Sequence, residues 1–218
     1  MKRLFALLTA LALVLALAAC GGNAPAADTG SESAVPSETD GETDAAESGP
    51  ETQTDAQTDG HRSVLVVVFS ATGTTKGVAE KIAAIENADL YEIRAAQAYT
   101  DADLNWHDSG SRTTLEQNDK SARPEIAGEK ISLGGYEKIY IGFPIWWGEE
   151  PRIMDTFAES YDFTGVTLIP FCTSSSSGIG RSGQNLAELA GSGSWLEGKR
   201  FGGSVSEADL QSWIDSLK

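Results

Sequence analysis

The most constraining stretch of this chain is Val64-Leu-Val-Val-Val-Phe69. It is six consecutive apolar residues, four of them Val, with no polar alternation. A strand with one wetted face alternates, whereas a strand buried on both faces of a parallel sheet does not. A turn rich in Ser, Thr and Gly follows at once. Beyond it a helical stretch runs to about Ile85, with Val78, Ile82 and Ile85 on one face. Strand, tight turn and helix in that order start a parallel crossover unit.

The alternation continues. Leu90–Ile93 is a shorter strand candidate, and Lys138–Phe143 is a longer one ended by Pro144. Residues 151–160 read as a helix with Pro151 in its first turn and Ile153 and Phe157 on one side. Thr167–Cys172 is a fourth strand that carries Pro170, an awkward fit because proline cannot donate to a ladder. Gln184–Ala190 is a short helix, and a fifth strand is expected near 199–203. In the last helix Ser206 and Asp209 resemble a capping box, and Leu210, Trp213, Ile214 and Leu217 follow i, i+3, i+4, i+7. Such a series implies an α/β domain with an open parallel sheet and right-handed crossovers. Residues 95–130 interrupt it. They are polar and too long for a simple connection, and such insertions are often functional.

The N-terminal part is different material. Met1-Lys2-Arg3 is a positive head, and Leu4–Ala19 is a 16-residue apolar run broken only by Thr9. That is shorter than the roughly 18 residues a membrane span needs. Leu17-Ala18-Ala19-Cys20 resembles a bacterial lipobox. The expectation is a lipoprotein signal over 1–20, with Cys20 lipidated and the protein held outside the cytoplasmic membrane. Residues 21–60 hold ten carboxylates and no Lys or Arg among Ala, Ser, Thr, Gly and Pro. They cannot bury enough apolar surface to offset ordering, and read as a disordered acidic tether. Residues 61–218 remain for one domain. Leaving out Lys2, Arg3 and the ten tether carboxylates, the chain's net charge of −16 becomes −8 there. An acidic domain is not a nucleic-acid binder, because neutralising phosphates takes clustered Lys and Arg. Two Cys (20 and 172) and two His (61 and 107) give neither a disulfide framework nor a zinc site.

Three loops carry the chemistry. The first is Ser70-Ala71-Thr72-Gly73-Thr74-Thr75. A phosphate dianion needs converging donors, and the hydroxyls of Ser70, Thr72, Thr74 and Thr75, backbone amides and the positive end of the following helix supply them. Gly73 lets the backbone come close. No Lys is present, which suits a bound nucleotide rather than phosphoryl transfer. Neither G-x-x-x-x-G-K-[ST] nor G-x-G-x-x-G occurs. The second loop is Gly142-Phe-Pro-Ile-Trp-Trp-Gly148, and the third is Phe171-Cys-Thr-Ser-Ser-Ser-Ser-Gly178-Ile-Gly180.

Ser-x-Thr-Gly-Thr-Thr after a hydrophobic first strand resembles the FMN phosphate loop of flavodoxins. The second and third loops resemble their two flavin-ring loops. With Tyr99-Thr100 and Arg123-Pro124-Glu125-Ile126, the pattern over 62–203 is similar to a flavodoxin subfamily found in bacterial lipoproteins. The resemblance implies a doubly wound five-stranded parallel sheet of order 2-1-3-4-5, with FMN at the strand 1/strand 3 switch point. It also implies cofactor contacts from Ser70, Thr72, Gly73, Thr74 and Thr75, from Pro144, Ile145, Trp146, Trp147 and Gly148, and from Thr173, Ser174, Ser177 and Gly178. The implied function is electron transfer to a redox partner protein or a small acceptor. The alternatives are an FMN-dependent NAD(P)H:quinone or small-acceptor reductase, and a binding module without turnover.

The individual residues have plainer readings too. Pro144 and Gly148 place Trp146-Trp147 in a loop, where large aromatics cover a planar ligand rather than fill a core; which Trp stacks stays open. The Ser174–Ser177 run lacks a G-x-S-x-G elbow and a nearby His, so it is expected to supply loop donors and no nucleophile. Cys172 is expected to be a small buried hydrophobe. His107 is expected on the surface, and Arg112 and Glu116 as an exposed i, i+4 pair. Glu149 and Glu150 follow the Trp-Trp-Gly loop. They are expected near the flavin, where their charge would lower its potential.

Overall fold

A computed structural model of the protein describes residues 63–218. The expected signal (1–20), its lipidation site Cys20, the acidic tether (21–60) and His61 lie outside the described residues.

The element order is β1 (Val64–Phe69), α1 (Thr74–Glu86), β2 (Asp89–Ile93), α2 (Arg112–Asn118), β3 (Lys138–Pro144), α3 (Arg152–Glu159), β4 (Thr167–Thr173), α4 (Ser182–Ala190), β5 (Ser194–Trp195), β6 (Lys199–Phe201) and α5 (Glu207–Asp215). The sheet runs β2-β1-β3-β4, with β5 and then β6 sharing the position beyond β4, and every pairing is parallel. The sheet order implied by the resemblance is present.

The unalternating apolar strands have the expected cause. Leu65, Val67 and Phe69 of β1 face one side, with Ile139, Ile141 and Phe143 of β3 and Ile153, Met154 and Phe157 of α3. Val66 and Val68 face the other, with Val78, Ala79 and Ile82 of α1 and Leu210, Trp213 and Ile214 of α5. Each strand therefore feeds two cores, and helices cover both faces. The α5 cap is as read: the Ser206 hydroxyl accepts from the Asp209 amide at 3.1 Å and donates to the Asp209 carboxylate at 2.7 Å. Cys172 is fully buried and free, with its thiol pushed up to about 12 by burial.

The fifth strand is the main difference from the sequence reading. It is split into Ser194–Trp195, which was not anticipated, and Lys199–Phe201. Pro170 explains the break. The carbonyl of Leu168 accepts from the Leu196 amide at 2.9 Å, so even-numbered residues of β4 point toward the fifth position. Pro170 would have to donate there and has no N–H, and the neighbouring strand is interrupted over 196–198. Gly198 fills the gap, where a Cβ would stand 3.0 Å from both the Cβ and the carbonyl oxygen of Pro170.

Residues 95–130 form a second layer beside the sheet end. Ala95 and Ile126 make an antiparallel bridge at its base, and α2 is capped by Ser111. Arg112 and Glu116 are not the exposed pair that their spacing suggests. They bond at 2.6 Å with side chains 21% and 13% exposed. The guanidinium also lies 4.1 Å over the Tyr99 ring, and the Tyr99 hydroxyl donates to Glu116 at 2.7 Å. Tyr99 is half-buried, and that aromatic surface draws the pair inward.

Candidate flavin site

The carboxyl ends of β1 and β3 open onto a cavity of about 340 Å³. Its lining comes from three places: Ser70, Ala71, Thr72, Thr74 and Thr75 after β1, Pro144–Trp147 at and beyond the end of β3, and Leu104, Trp106 and Thr113 from the 95–130 segment.

The first wall is the start of α1. Gly73 is its N-cap at φ 84°, and no side chain caps the helix. A glycine is needed for that φ, and a Cβ there would meet nothing within 4 Å, so the backbone borders open space. An uncapped first turn leaves amide N–H groups without helical partners, at the positive end of a 13-residue helix. Thr72 and Thr74 are exposed, with their hydroxyls 3.4 Å apart. Thr75 is buried, and its hydroxyl pairs with that of Thr173 at 2.8 Å. With Thr173 donating, Thr75 keeps its own proton for a ligand in the cavity. No Lys, Arg, Asp or Glu is among the lining residues.

The second wall is a two-residue turn. Trp146 and Glu149 exchange both backbone hydrogen bonds, at 2.9 and 3.0 Å, and Trp147 and Gly148 between them have φ of 49° and 86°. That is a hairpin turn with two left-handed residues, a shape which favours Asn or Gly and costs a Trp about 1–2 kcal/mol. The two tryptophans divide their roles. Trp146 packs edge-on against Phe69 and Tyr99, at centroid distances of 5.6 and 5.4 Å. Trp147 is 44% exposed and makes no ring contact among the described residues.

The turn is held from behind. Gln117 of α2 donates to the carbonyls of Trp146 and Glu150, at 2.9 and 3.1 Å. Arg152 donates to Glu149 at 2.8 Å and to Asp155 at 3.2 Å, and Lys120 reaches Glu149 at 2.7 Å. Glu150 is 1% exposed and accepts from Asn185 at 3.0 Å. The expectation that Glu149 and Glu150 lie against the flavin is therefore corrected. Neither lines the cavity, because Arg152 and Lys120 draw Glu149, and Asn185 draws Glu150, into an ionic cluster behind the turn. Hydrogen bonds from Lys120 and Arg152 hold Glu149 below the usual carboxylate range. Burial, with Glu150 nearby, pushes Asp155 up to about 6.

The third loop stands beside the cavity rather than in its lining. Thr173 reaches it through Thr75, and its carbonyl accepts from the Ile145 amide at 3.0 Å. The Ser174 hydroxyl donates to the Ser177 carbonyl. Arg200 of β6 donates to the carbonyls of Ser174 and Ser175, at 2.5 and 2.6 Å. Ser177 and Gly178 are exposed. Of the residues expected at the site, Ser70, Thr72, Thr74, Thr75, Pro144, Ile145, Trp146 and Trp147 line one cavity, with Gly73 and Gly148 shaping its two turns. Leu104, Trp106 and Thr113 were missed. Leu104 and Trp106 sit in an irregular stretch and Thr113 in the first turn of the seven-residue α2, too short for a periodicity that marks a face, and the Trp in a polar insert was the only signal.

These residues fit a phosphate monoester joined to a planar ring. Neutral donors and a helix N-terminus suit the phosphate, and an apolar cleft edged by indoles suits the ring. Among the described residues no cluster of His, Cys, Asp and Glu is arranged for a metal.

No curated protein matches the chain. Solved structures do. A protein assigned as a flavoprotein from Bacteroides eggerthii is 42% identical, with a TM-score of 0.66 over 71% of this chain and 96% of that one. Its counterpart from Bacteroides uniformis is 43% identical, with a TM-score of 0.67 over 70% and 97%. A Lactobacillus acidophilus flavoprotein solved in complex with FMN shares the fold at 23% identity, with a TM-score of 0.53 over 69% and 97%. The family model described as Flavodoxin matches residues 63–217, nearly all of the described part. By sequence model, sheet order and structural likeness together, the chain belongs to the flavodoxin family.

Proposed function

We propose that this protein binds FMN non-covalently and transfers electrons, tethered outside the cytoplasmic membrane by a lipid on Cys20. One observation carries the FMN reading. The uncapped N-terminus of α1, ringed by hydroxyls, opens into the same cavity as the Trp146-Trp147 turn. FMN in complex with the Lactobacillus acidophilus flavoprotein supports the choice of cofactor. Ser70, Thr72, Thr74, Thr75 and the first amides of α1 hold the phosphate. Trp147 covers one side of the ring, and Trp146, locked by Phe69 and Tyr99, supports the turn. Residues 173–178 form the polar rim. When bound, FMN supplies one- and two-electron redox chemistry, and the protein's share is positioning and electrostatics.

The test is the visible spectrum of the purified full chain before and after FMN is added. A bound flavin spectrum with a stoichiometric endpoint supports the reading, and a chain that stays colourless supports a binding module. A second reading, an FMN-dependent reductase for a quinone or other small acceptor, is favoured by Leu104, Trp106 and Thr113 reaching the cavity. It requires direct oxidation of NAD(P)H by the loaded protein. A carrier instead needs a partner protein. The anchor rests on the lipobox-like Leu17-Ala18-Ala19-Cys20. Cys20→Ser should release the protein from membranes or stall its processing, and unchanged membrane retention after correct cleavage would exclude lipidation there.

A further inference from the structure

Trp106 is 67% exposed, the most exposed of the large hydrophobic residues among the described residues, yet it lines the same cavity as Thr72 and Trp147. The segment that carries it is firmly built. Leu104 donates to the Thr100 carbonyl at 3.1 Å, and Thr113 donates to the Asp103 carbonyl through both its amide (3.2 Å) and its hydroxyl (2.6 Å). The Thr114 hydroxyl donates to the Asp108 carbonyl at 3.0 Å. His107 lies against the indole, with centroids 3.4 Å apart and the ring planes tilted by 33°. A fixed loop that holds a large aromatic in water beside an apolar cavity has left a face for a ligand. Trp147 does the same from the other wall, at the cost of a left-handed backbone.

We propose that Trp106 is a second aromatic wall for the ring portion of the cofactor, contributed by the β2–β3 segment rather than by a strand-end loop. This rests on the reading that the cavity takes FMN. Trp106 then sets affinity for the planar ring and is indifferent to the phosphate, whereas Thr72 does the reverse. The neutral lining agrees, since ring binding in this cleft has no charged side chain to draw on.

The experiment titrates the full chain with FMN and with riboflavin, which has the same ring and no phosphate. Tryptophan quenching and calorimetry report both affinities for wild type, Trp106→Ala, Trp106→Phe and Trp147→Ala. Stacking of a planar ring on an aromatic side chain predicts that Trp106→Ala weakens both ligands equally, by about fivefold to a hundredfold. Trp106→Phe should recover most of that. The melting temperature without ligand should not move, because the indole is exposed. If Trp106→Ala unfolds, Trp106→Gln reads the same loss from a polar residue suited to a wet position. Affinities within twofold of wild type for both ligands overturn the proposal, and so does a loss confined to FMN. In both cases wild-type binding, and its loss in Trp147→Ala, would leave the FMN reading standing. A wild-type chain that binds neither ligand would overturn that reading, and the proposal with it.

Discussion

Two regions lie back to back at the carboxyl end of this sheet, and they place their polar groups in opposite ways. The cavity between β1 and β3 is lined without a charged side chain and relies on hydroxyls, amides and a helix end. Behind the Trp146–Glu149 turn, Glu149, Glu150, Arg152, Asp155, Lys120 and Arg123 crowd into one ionic cluster. The contrast teaches that charge here is structural. It braces the strained turn, while the ligand face is left to neutral donors that need no counter-ion when the site is empty.

The largest effect should come from breaking the charged half. Arg152 is 3% exposed at its side chain and is the cation nearest both Glu150 and Asp155. Removing one partner of such a cluster leaves buried carboxylates uncompensated. Arg152→Ala should therefore cost about 3–5 kcal/mol of stability in denaturant unfolding. A loss under 1 kcal/mol would show that water already screens the cluster.

Asp155 sharpens the same half through pH. Its folded value is about 6 against an ordinary 3.8, with burial as the main cause. Between these values the folded state binds more protons than the unfolded one, so this group's share of stability is complete below about pH 4. It is lost as pH rises through 6. At about 1.4 kcal/mol per unit, the swing approaches 3 kcal/mol. Glu149 and Glu159 are held below their usual range and push the other way, their stability being lost on acidification. Asp155→Asn should remove the Asp155 swing alone, seen as a changed slope of unfolding free energy from pH 4 to 6. An unchanged slope would place Asp155 in water.

The neutral half is probed by Thr72→Val. Thr72 is exposed, so the folded chain should lose little, but one hydrogen bond to a phosphate dianion is worth about 1.5–3 kcal/mol. FMN should weaken by about tenfold or more, with riboflavin nearly unchanged. Equal weakening of both would mean that Thr72 does not meet the phosphate.

How much of this contrast could be read from sequence differs between its halves. The phosphate loop was legible because Ser70–Thr75 is contiguous and both its strand and its helix carry clear patterns. Strands β1, β3 and β4 were legible for the same reason. Of the fifth strand only the Lys199–Phe201 half was legible, because Pro170 divides its partner line and leaves a two-residue piece at Ser194–Trp195. The ionic cluster was invisible because Arg152, Gln117 and Asn185 come from three helices and meet only in the fold. Glu149 and Glu150 follow the ring loop in sequence, yet partners supplied from elsewhere turn them away from it. Arg112 and Glu116 showed their pairing by spacing, but not that Tyr99 would bury it.

The smallest effect expected is on redox potential. Glu149 and Lys120 form a 2.7 Å pair outside the cavity lining, so their charges largely cancel at the ring. Replacing both, as Lys120→Met with Glu149→Gln, should shift either one-electron couple by under about 20 mV, roughly a twofold change in equilibrium. A shift of 60 mV or more would bring that pair to the flavin's edge.

The central claim is that a neutral, helix-terminated cradle recognises a phosphate joined to a flat ring. Calorimetric titration of the full chain with FMN and with riboflavin tests it most directly. Several charge-assisted hydrogen bonds of about 1.5–3 kcal/mol each predict FMN at least about a hundredfold tighter than riboflavin. Equal affinities for the two would contradict the account.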